Sequence, residues 1–229
     1  ASFHGQPIVP ASVQEPPFWR RNPVFNQLYC SVYHLNDATL PAYIDELERF
    51  DPAVMVGYTS AIHRVATHLL ATGDVGRIRP RAALVSSETL LPGARADIEA
   101  AFGCRVTNAY SLGELVAFIT ECPEGSMHES TDYGVVEYVD GEIVATGLIN
   151  QGMPLLRYRT GDLASPSTAG PCSCGRGLPC VSELVGRLDD VVRTTEGAVV
   201  GPAPIILAFQ RVSNLRRAQV RQDRVEGLH

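Results

Sequence analysis

The chain of 229 residues contains no lysine, and all nineteen of its basic residues are arginine. It therefore has no lysine base, no Schiff-base amine and no lysine that could grip a phosphate. It also lacks an apolar run long enough to span a bilayer. The formal net charge of −6 gives no reason to expect nucleic acid or an anionic membrane as a partner.

Signals for secretion are also missing from the sequence. The first residues, ASFHG, have neither the basic region nor the apolar region of a signal peptide. We therefore expect a cytoplasmic protein. In such a protein, six cysteines, three of them between Cys172 and Cys180, favour a metal site over disulfides.

The first half of the chain alternates between strand and helix patterns. Short apolar runs at 53–58, 82–87 and 104–110 are typical of buried strands, and an amphipathic helix is predicted over 38–50. Residues 1–35 are rich in proline and aromatic side chains, and we expect them to pack irregularly. The alternation predicts an α/β fold, with a parallel sheet and crossover helices.

Capping residues mark the ends of two of these helices. Ser60 is expected to cap a helix that Gly73 ends, and Pro92 and Gly103 bound the next one. Ligands of parallel sheets collect at the carboxyl ends of the strands. Here those ends lead into Tyr58-Thr59, Ser86-Ser87-Glu88 and 110–114.

From residue 133 the hydrophobic period changes to two, which is typical of antiparallel strands. Segments 133–139 and 142–148 flank Asp140-Gly141, a strong hairpin signal, and 154–160 is predicted to be a third strand. We expect a small antiparallel β subdomain here. A further hairpin is predicted over 190–200, turning at Glu196-Gly197, and a helix over about 203–212.

These patterns predict three parts. Residues 1–130 form the α/β portion, 131–185 the antiparallel β subdomain with a cysteine-rich knuckle, and 186–229 a hinge and the start of a further small domain.

Three strings carry residues that could act on a nucleotide. In YRTGDL, Asp162 follows a tight glycine turn and could accept hydrogen bonds from two vicinal hydroxyls. In YSLGE, Glu114 follows the third parallel strand, where Mg²⁺ with phosphate would bind. In GRLDD, Arg187 could pair with phosphate or ribose oxygens. Taken singly, these strings are also typical of ordinary turns or surface charges, and this plain reading is the favoured one for Asp162 and Glu114.

A candidate metal site consists of Cys122, His128, Cys172 and Cys174. Three thiolates and one imidazole are a common donor set for structural zinc. Cys180 is an alternative ligand. Spacing alone leaves open that these are free cysteines and a surface histidine, as Cys30 and Cys104 are expected to be packed thiols.

The order of these strings resembles the adenylate-forming superfamily. YSLGE, PLLRYRTGDL and GRLDD are accompanied by PPFWRRN (16–22), GYTSAI (57–62), SSETL (86–90), IEAAFGCRVTNAYSLGE (98–114) and CSCGRGLP (172–179). The resemblance is closer to the phenylacetate–CoA ligase-like branch, which includes capsule-biosynthesis adenylating proteins. It implies an adenylate-forming enzyme fold and a chain that lacks family residues at both ends.

The resemblance implies roles for individual residues. Glu114 would hold Mg²⁺, Asp162 the ribose hydroxyls and Arg187 the ribose or phosphate, while Asp189 would lie at the domain hinge. The residues implied for the adenine pocket are Ser87, Glu88, Asn108, Ala109 and Tyr110. Those implied near the acyl substrate are Tyr33, His34, Tyr58 and Thr59. Similar Cys and His sets hold zinc in some members of the branch.

Three departures from the family pattern keep two functions open. A Gly/Ser/Thr-rich phosphate loop is missing, Gly113 stands where the motif has a hydroxyl residue beside the glutamate, and the lysine of the C-terminal domain is missing. One hypothesis is a ligase that activates an aryl or similar small acid as an acyl-AMP and transfers it to coenzyme A.

The alternative is a reduced adenylation-like protein with a structural zinc, serving nucleotide binding or a partner subunit. A zinc-ribbon nucleic-acid binder is disfavoured by the acidic charge. A homodimer is compatible with the sequence, which leaves the oligomeric state open.

Overall fold

A computed structural model describes residues 1–187 and short stretches beyond them, namely 192–193, 195, 199–200, 209, 219–222 and 224. The chain divides into two compact units, Ala1–Tyr110 and Ser111–His229. Each unit is considered separately below. The three-part division at 130 and 185 stays a prediction.

The first unit is a mostly parallel sheet with three helices. In chain order its elements are β1 (Ser2–Phe3), β2 (Trp19–Asn22), β3 (Gln27–Cys30), α1 (Leu40–Phe50), β4 (Val54–Tyr58), α2 (Thr59–Thr72), β5 (Ala82–Ser86), α3 (Pro92–Phe102) and β6 (Arg105–Ser111). The strands lie in the order β2-β3-β1-β4-β5-β6. All neighbouring pairs are parallel except β2 with β3, which confirms the predicted α/β fold.

The helices of this unit end as the sequence predicts. Helix α2 ends at Gly73 (φ 77°) and α3 ends at Gly103 (φ 62°), both in the left-handed conformation that glycine adopts at little cost. Helix α1 buries Leu40, Tyr43 and Leu47 against the core, following the predicted amphipathic spacing.

The start of α2 differs from its prediction. The helix begins at Thr59 with Tyr58 at the N-cap position, so Ser60 is not the cap. Instead, the Glu88 carboxylate accepts hydrogen bonds from the Ser60 amide (2.6 Å) and from the Ser60 hydroxyl (2.9 Å). A carboxylate at a helix N-terminus satisfies the same orphan amide as a local cap and suits the helix dipole. Local pattern could not reveal a cap that comes from 28 residues away.

Residues 1–35 are more regular than the sequence suggests, since they contribute β1, β2 and β3. These strands have two to four residues each, too few for alternation to be detected. Gly57 of β4 makes the close approach to β1 possible, because a Cβ there would lie 2.1 Å from the Phe3 carbonyl oxygen.

The second unit is an antiparallel sheet. Its elements are β7 (Phe118–Glu121), β8 (Met127–Glu129), β9 (Gly134–Val139), β10 (Glu142–Gly147), β11 (Tyr158–Pro166), β12 (Cys180–Arg187), β13 (Val192–Arg193) and β14 (Val199–Val200). Six of these strands lie in the order β7-β8-β12-β11-β10-β9. The β9–β10 hairpin turns at Asp140 (φ 54°) and Gly141 (φ 82°), as predicted.

Two predictions in this unit need correction or qualification. The strand predicted over 154–160 begins only at Tyr158 and continues to Pro166. Pro154 has no amide to donate, and Arg157 has a left-handed backbone (φ 47°), so the segment before Tyr158 cannot join the ladder regularly. The pairing of β13 with β14 confirms strands of the hairpin predicted over 190–200.

The turn at Glu196-Gly197 and nearly all of the helix predicted over 203–212 lie outside the described residues. Within the part of the chain that the structure describes, no helix combines the length and apolarity needed to cross a membrane.

We predict that Gly57→Ala destabilises the first unit by about 3 kcal/mol, since the new methyl group would overlap the Phe3 backbone. Urea denaturation of both proteins would measure the difference. Gly93→Ala is the matched control: Gly93 lies in α3, its Cβ would meet nothing within 4 Å, and alanine should stabilise the helix by roughly 0.5–1 kcal/mol. Equal stability of the Gly57→Ala protein and the wild type would contradict the close approach.

Candidate functional site

Three strand ends of the first unit form one row across the sheet. Tyr58 is the register partner of Ser86, and Ser86 is the register partner of Ala109. Ser87 follows with a left-handed backbone (φ 67°), which turns the chain away from the strand. The residues assigned to the adenine pocket by resemblance, Ser87, Glu88, Asn108, Ala109 and Tyr110, therefore lie on or directly after two neighbouring strands.

Glu88 and Thr59 meet at the carboxyl ends of β4 and β5. The Thr59 hydroxyl donates a 3.4 Å hydrogen bond to the Glu88 carbonyl oxygen, while the Glu88 carboxylate binds Ser60. Both carboxylate oxygens are thus engaged within the protein. Glu88 consequently ties the loop after β5 to the start of α2.

Tyr33 and Tyr58 both contact the backbone at Gly5. The Tyr33 hydroxyl donates a 2.6 Å hydrogen bond to the Gly5 carbonyl oxygen. A Cβ at Gly5 would lie 2.4 Å from the Tyr58 hydroxyl oxygen, so only glycine lets this ring lie so close. The structure therefore brings these two predicted substrate-side residues together.

His34 lies in a different environment, because its side chain is buried. Its ring stacks on Phe18, with centroids 5.0 Å apart, and its Nδ1 atom lies 2.8 Å from the Ser31 hydroxyl. Among the residues that the structure describes, Nε2 finds no hydrogen-bond partner. The surroundings are those of a core histidine with one ring nitrogen left over.

In the second unit, Glu114 lies on a turn closed by the Leu115 amide and the Leu112 carbonyl oxygen (3.0 Å). The Tyr158 hydroxyl donates a 2.9 Å hydrogen bond to Glu114 Oε1. The Asn150 side-chain amide donates to the Glu114 carbonyl oxygen at 3.4 Å. Both the backbone and the carboxylate of Glu114 are therefore fixed by groups from the segment around β11.

Asp162 and Arg187 are register partners on β11 and β12. The Asp162 carboxylate lies 3.8 Å from Arg187 Nη1. Asp162 is buried, whereas the Arg187 side chain is 56% exposed. The arginine therefore compensates the carboxylate while it remains accessible from solvent.

The Tyr158 phenol interacts electrostatically with Glu114, Asp162 and Arg187. The pKa of Tyr158 is raised, first by its hydrogen bond to Glu114 and the charge of that carboxylate, and also by Asp162, while Arg187 opposes the rise. Tyr158, Glu114, Asp162 and Arg187 thus form one interacting group, which we call the carboxylate cluster. The predicted hinge residue Asp189 lies outside the described residues.

The predicted metal ligands also come together. One side-chain donor atom from each of Cys122, His128, Cys172 and Cys174 lies within 4.8 Å of the other three. Cys122 lies just after β7 and His128 lies on β8, while the two remaining cysteines lie in the loop between β11 and β12. Residues 46 and 50 positions apart are thus brought into one cluster.

The distances within this cluster suit a tetrahedral ion. With Zn–S bonds of about 2.3 Å, two thiolates should be about 3.8 Å apart, and a thiolate and an imidazole nitrogen about 3.5 Å apart. Cys122 Sγ and Cys172 Sγ are 3.8 Å apart, and Cys174 Sγ is 3.4 Å from His128 Nε2. His128 Nδ1 faces the Leu178 carbonyl oxygen at 3.2 Å, as in imidazoles that ligate through the other nitrogen.

The cysteine thiols differ in their surroundings. A hydrogen bond with Ser126 lowers the pKa of the Cys172 thiol to about 6, which makes its thiolate available near neutral pH. Burial raises the pKa of Cys30 to about 12 and also raises that of Cys104, in line with their expected role as packed thiols. Cys180 Sγ approaches His128 from the Nδ1 side, at 3.5 Å.

Several contacts at the site escaped the sequence reasoning. Tyr158 with Glu114, Ser126 with Cys172 and Glu142 with the Gly161 amide all join segments that lie far apart in the sequence. Tyr158 stands in the YRTGDL string, which could have drawn attention to it, whereas Ser126 and Glu142 carry no local signal of their contacts.

Comparison with curated proteins finds relatives of known name. The chain is 34% identical over 218 residues to Protein CapK of Staphylococcus aureus, covering 93% of this chain and 49% of CapK. It is 33% identical over 127 residues to a phenylacetate–coenzyme A ligase of Thermus thermophilus, covering 48% of this chain and 28% of the ligase. No family model matches the chain.

Among solved structures, the chain resembles 2-hydroxyisobutyryl-CoA ligase. The open conformation of that enzyme in complex with 2-HIB-AMP and CoA matches with a TM-score of 0.64 and 21% identity, covering 82% of this chain and 47% of that one. At this identity the likeness concerns the fold. The chain thus spans about half the length of both CapK and this structural neighbour.

We predict an acid-sensitive contribution to stability from Glu142. Hydrogen bonds from Arg159, reinforced by the Gly161 amide, outweigh burial and lower the pKa of this carboxyl below its ordinary 4.5. Because the folded-state pKa is the lower one, the stabilisation is present above pH 4.5 and is lost as the pH falls through the folded-state value.

Urea denaturation between pH 7 and pH 3 would measure this effect. The stability difference between wild type and Glu142→Gln should shrink as the pH falls. Glu137→Gln is the matched control, since Glu137 makes an exposed pair with Arg157 at 3.1 Å on the same sheet, and its effect should be small at every pH. A pH-independent difference for Glu142→Gln would contradict the prediction.

Proposed function

We propose that this chain, which belongs to the adenylate-forming superfamily in its phenylacetate–CoA ligase-like branch, is part of an AMP-forming acid–CoA ligase. The observation that carries the proposal is the carboxylate cluster, in which Tyr158 donates a hydrogen bond to Glu114 and Arg187 lies 3.8 Å from Asp162. The substrate is an aryl or similar small carboxylic acid. ATP and coenzyme A are the other reactants.

Asp162 suits a ribose. Its buried carboxylate lies 3.8 Å from Arg187 Nη1, and the residue comes directly after the left-handed Gly161 (φ 74°). A carboxylate can accept two hydrogen bonds from vicinal hydroxyls, and Arg187 can contact the ribose or phosphate oxygens from its exposed position. These two residues would then hold the nucleotide at its sugar.

Glu114 suits Mg²⁺ that arrives with the phosphates of ATP. Such an ion takes one or two carboxylates from the protein and completes its shell with phosphate oxygens and water. The bound ion would supply neutralisation of phosphate charge. The Tyr158 hydrogen bond engages Glu114 Oε1, so Oε2 would be the oxygen that binds the ion.

The chemistry of such a ligase has two steps. The carboxylate oxygen of the acid attacks the α-phosphorus of ATP and displaces pyrophosphate, which gives the acyl-AMP. The coenzyme A thiol then attacks the acyl carbon, loses its proton and displaces AMP. The chain's own contribution is to orient the nucleotide, through the two residues above and an adenine pocket of Ser87, Glu88, Asn108, Ala109 and Tyr110.

The acyl group would lie near Tyr33, His34, Tyr58 and Thr59. The shared contact of the two tyrosines with Gly5 supports this assignment for them. Asp189 would act as the hinge. We also propose a cytoplasmic location, with a homodimer as one admissible assembly.

A structural zinc ion would occupy the Cys122, His128, Cys172 and Cys174 cluster. Four protein ligands leave no open position for substrate, which distinguishes a structural site from a catalytic one. The ion would tie the loop after β11 to β7 and β8, and so stabilise the sheet that carries Asp162.

A second candidate function is a reduced adenylation-like protein that binds a nucleotide, or serves as a partner subunit, without catalysis. The altered YSLGE motif, in which Gly113 stands in place of a hydroxyl residue, leaves this alternative open. The two functions differ in turnover but not in nucleotide binding, so activity separates them.

We predict that the protein expressed from its complete reading frame catalyses acid-dependent exchange between ATP and pyrophosphate. Glu114→Gln should lower the exchange rate by about 100-fold, because it removes a carboxylate ligand of the Mg²⁺ ion that would neutralise the phosphate charge. The measurement uses labelled pyrophosphate and a panel of aryl and alkyl acids.

Glu183→Gln is the control for this experiment, because Glu183 is exposed on β12 and should leave the rate unchanged. Retained ATP binding without exchange for any acid would support the reduced protein instead. Wild-type activity in Glu114→Gln would remove Glu114 from the proposed site.

We predict about one zinc ion per chain in protein purified without added metal, as measured by inductively coupled plasma mass spectrometry. Cys174→Ser should lose the ion and lower the melting temperature. Cys104→Ser should keep it, because Cys104 lies outside the cluster. Loss of the ion in Cys180→Ser would show that the ligand set is different, and metal-free wild-type protein would exclude the site.

A further inference from the structure

The turn that contains Asp162 is fixed by hydrogen bonds to two buried side chains. Asp162 follows Gly161, whose left-handed backbone interrupts the regular ladder of β11. In such a turn, successive amides point away from the neighbouring strand and need other acceptors. Thr160 and Glu142 supply them.

Thr160 fixes the amide of Asp162 itself. Its side chain is almost fully buried, with 5% of the residue exposed. The hydroxyl donates to the Ile143 carbonyl oxygen at 2.8 Å and accepts from the Asp162 amide at 3.0 Å. Because the hydroxyl both donates and accepts, it locks Asp162 to strand β10.

Glu142 fixes the preceding amide. Its carboxylate, on a residue that is also 5% exposed, accepts from the Gly161 amide at 3.0 Å through Oε1. The other oxygen, Oε2, accepts from Arg159, including a 2.8 Å bond from Nε. The Arg159 side chain is 66% exposed, so it neutralises the buried charge from the solvent side.

Stability alone gives a weak reason for this arrangement. A buried carboxylate paired with an arginine often stabilises the fold no more than apolar residues of the same volume would, because both charged groups lose their hydrating water on burial. An apolar side chain at 142 would, however, leave the Gly161 amide without this acceptor. The charge therefore serves the geometry of the turn.

We propose that Glu142 and Thr160 are positioning residues, which hold the Asp162 carboxylate in the orientation that grips the vicinal hydroxyls of a ribose. The inference rests on the proposed function, in which Asp162 binds the ribose. Glu142 accepts a hydrogen bond from the Gly161 amide, and Thr160 accepts one from the Asp162 amide. The backbone of Asp162 therefore cannot rotate without breaking one of these two hydrogen bonds. Neither residue itself touches the nucleotide.

The test compares ATP with 2′-deoxy-ATP in the exchange reaction of the complete protein. Wild type should prefer ATP, because the deoxynucleotide offers only one hydroxyl to Asp162. In Glu142→Gln we expect kcat/KM for ATP to fall about tenfold and that for 2′-deoxy-ATP about threefold or less, so that the preference narrows. Thr160→Val, which preserves side-chain volume, should narrow it in the same way.

Controls separate positioning from general damage. Glu137→Gln removes an exposed glutamate–arginine pair from the same sheet and should leave the preference unchanged. Adding Glu142→Gln to Asp162→Ala should not narrow the preference further, because the group being positioned is already gone. Circular dichroism and thermal unfolding show which variants are folded, and if Glu142→Gln is unfolded, Thr160→Val decides.

The outcomes distinguish this inference from the proposed function. A wild type that prefers ATP, with folded variants in which both nucleotides lose activity equally, overturns the positioning role and leaves Asp162 as the ribose ligand. A wild type that treats both nucleotides alike overturns the ribose assignment of Asp162 and, with it, this inference.

Discussion

Strand β11 must pair with neighbours on both sides and also contain a left-handed turn at Gly161. These demands conflict, because a turn inside a strand removes amides from the ladder. Side chains resolve the conflict, since Thr160 and Glu142 take the amides that the ladder leaves. The price is a buried carboxylate, which in turn needs Arg159. The carboxylate cluster depends on this strand, because Tyr158 precedes the turn and Asp162 follows Gly161 within it.

The proposed metal site lies beyond the other end of the same strand. Cys172 and Cys174 lie in the loop that joins β11 to β12, while Cys122 and His128 belong to the β7–β8 hairpin. A bond network among these four would limit how far that loop can open, and hence how far β12 can slide past β11. The register of β12 matters because it places Arg187 opposite Asp162. A metal ion bound at the cluster, together with the hydrogen-bonded turn, would constrain this one pair of residues from two directions.

The sequence predicted features that depend on local pattern or on familiar donor sets. The glycine caps at 73 and 103, the Asp140-Gly141 hairpin and the gathering of Cys122 with its partners are all in the structure. It did not predict contacts made by single polar side chains between segments that lie far apart in the sequence, such as Glu88 on Ser60. Periodicity records which face of an element is buried, whereas these contacts depend on how distant segments pack in three dimensions.

The departure of YSLGE from the family motif does not leave Glu114 without a hydroxyl partner. The motif has a hydroxyl residue beside the glutamate, and this chain has Gly113 there, but Glu114 still receives a hydroxyl hydrogen bond, from Tyr158. That bond comes from the strand that carries Asp162, so the two carboxylates are oriented by one element. The altered motif is therefore a poor argument against catalysis.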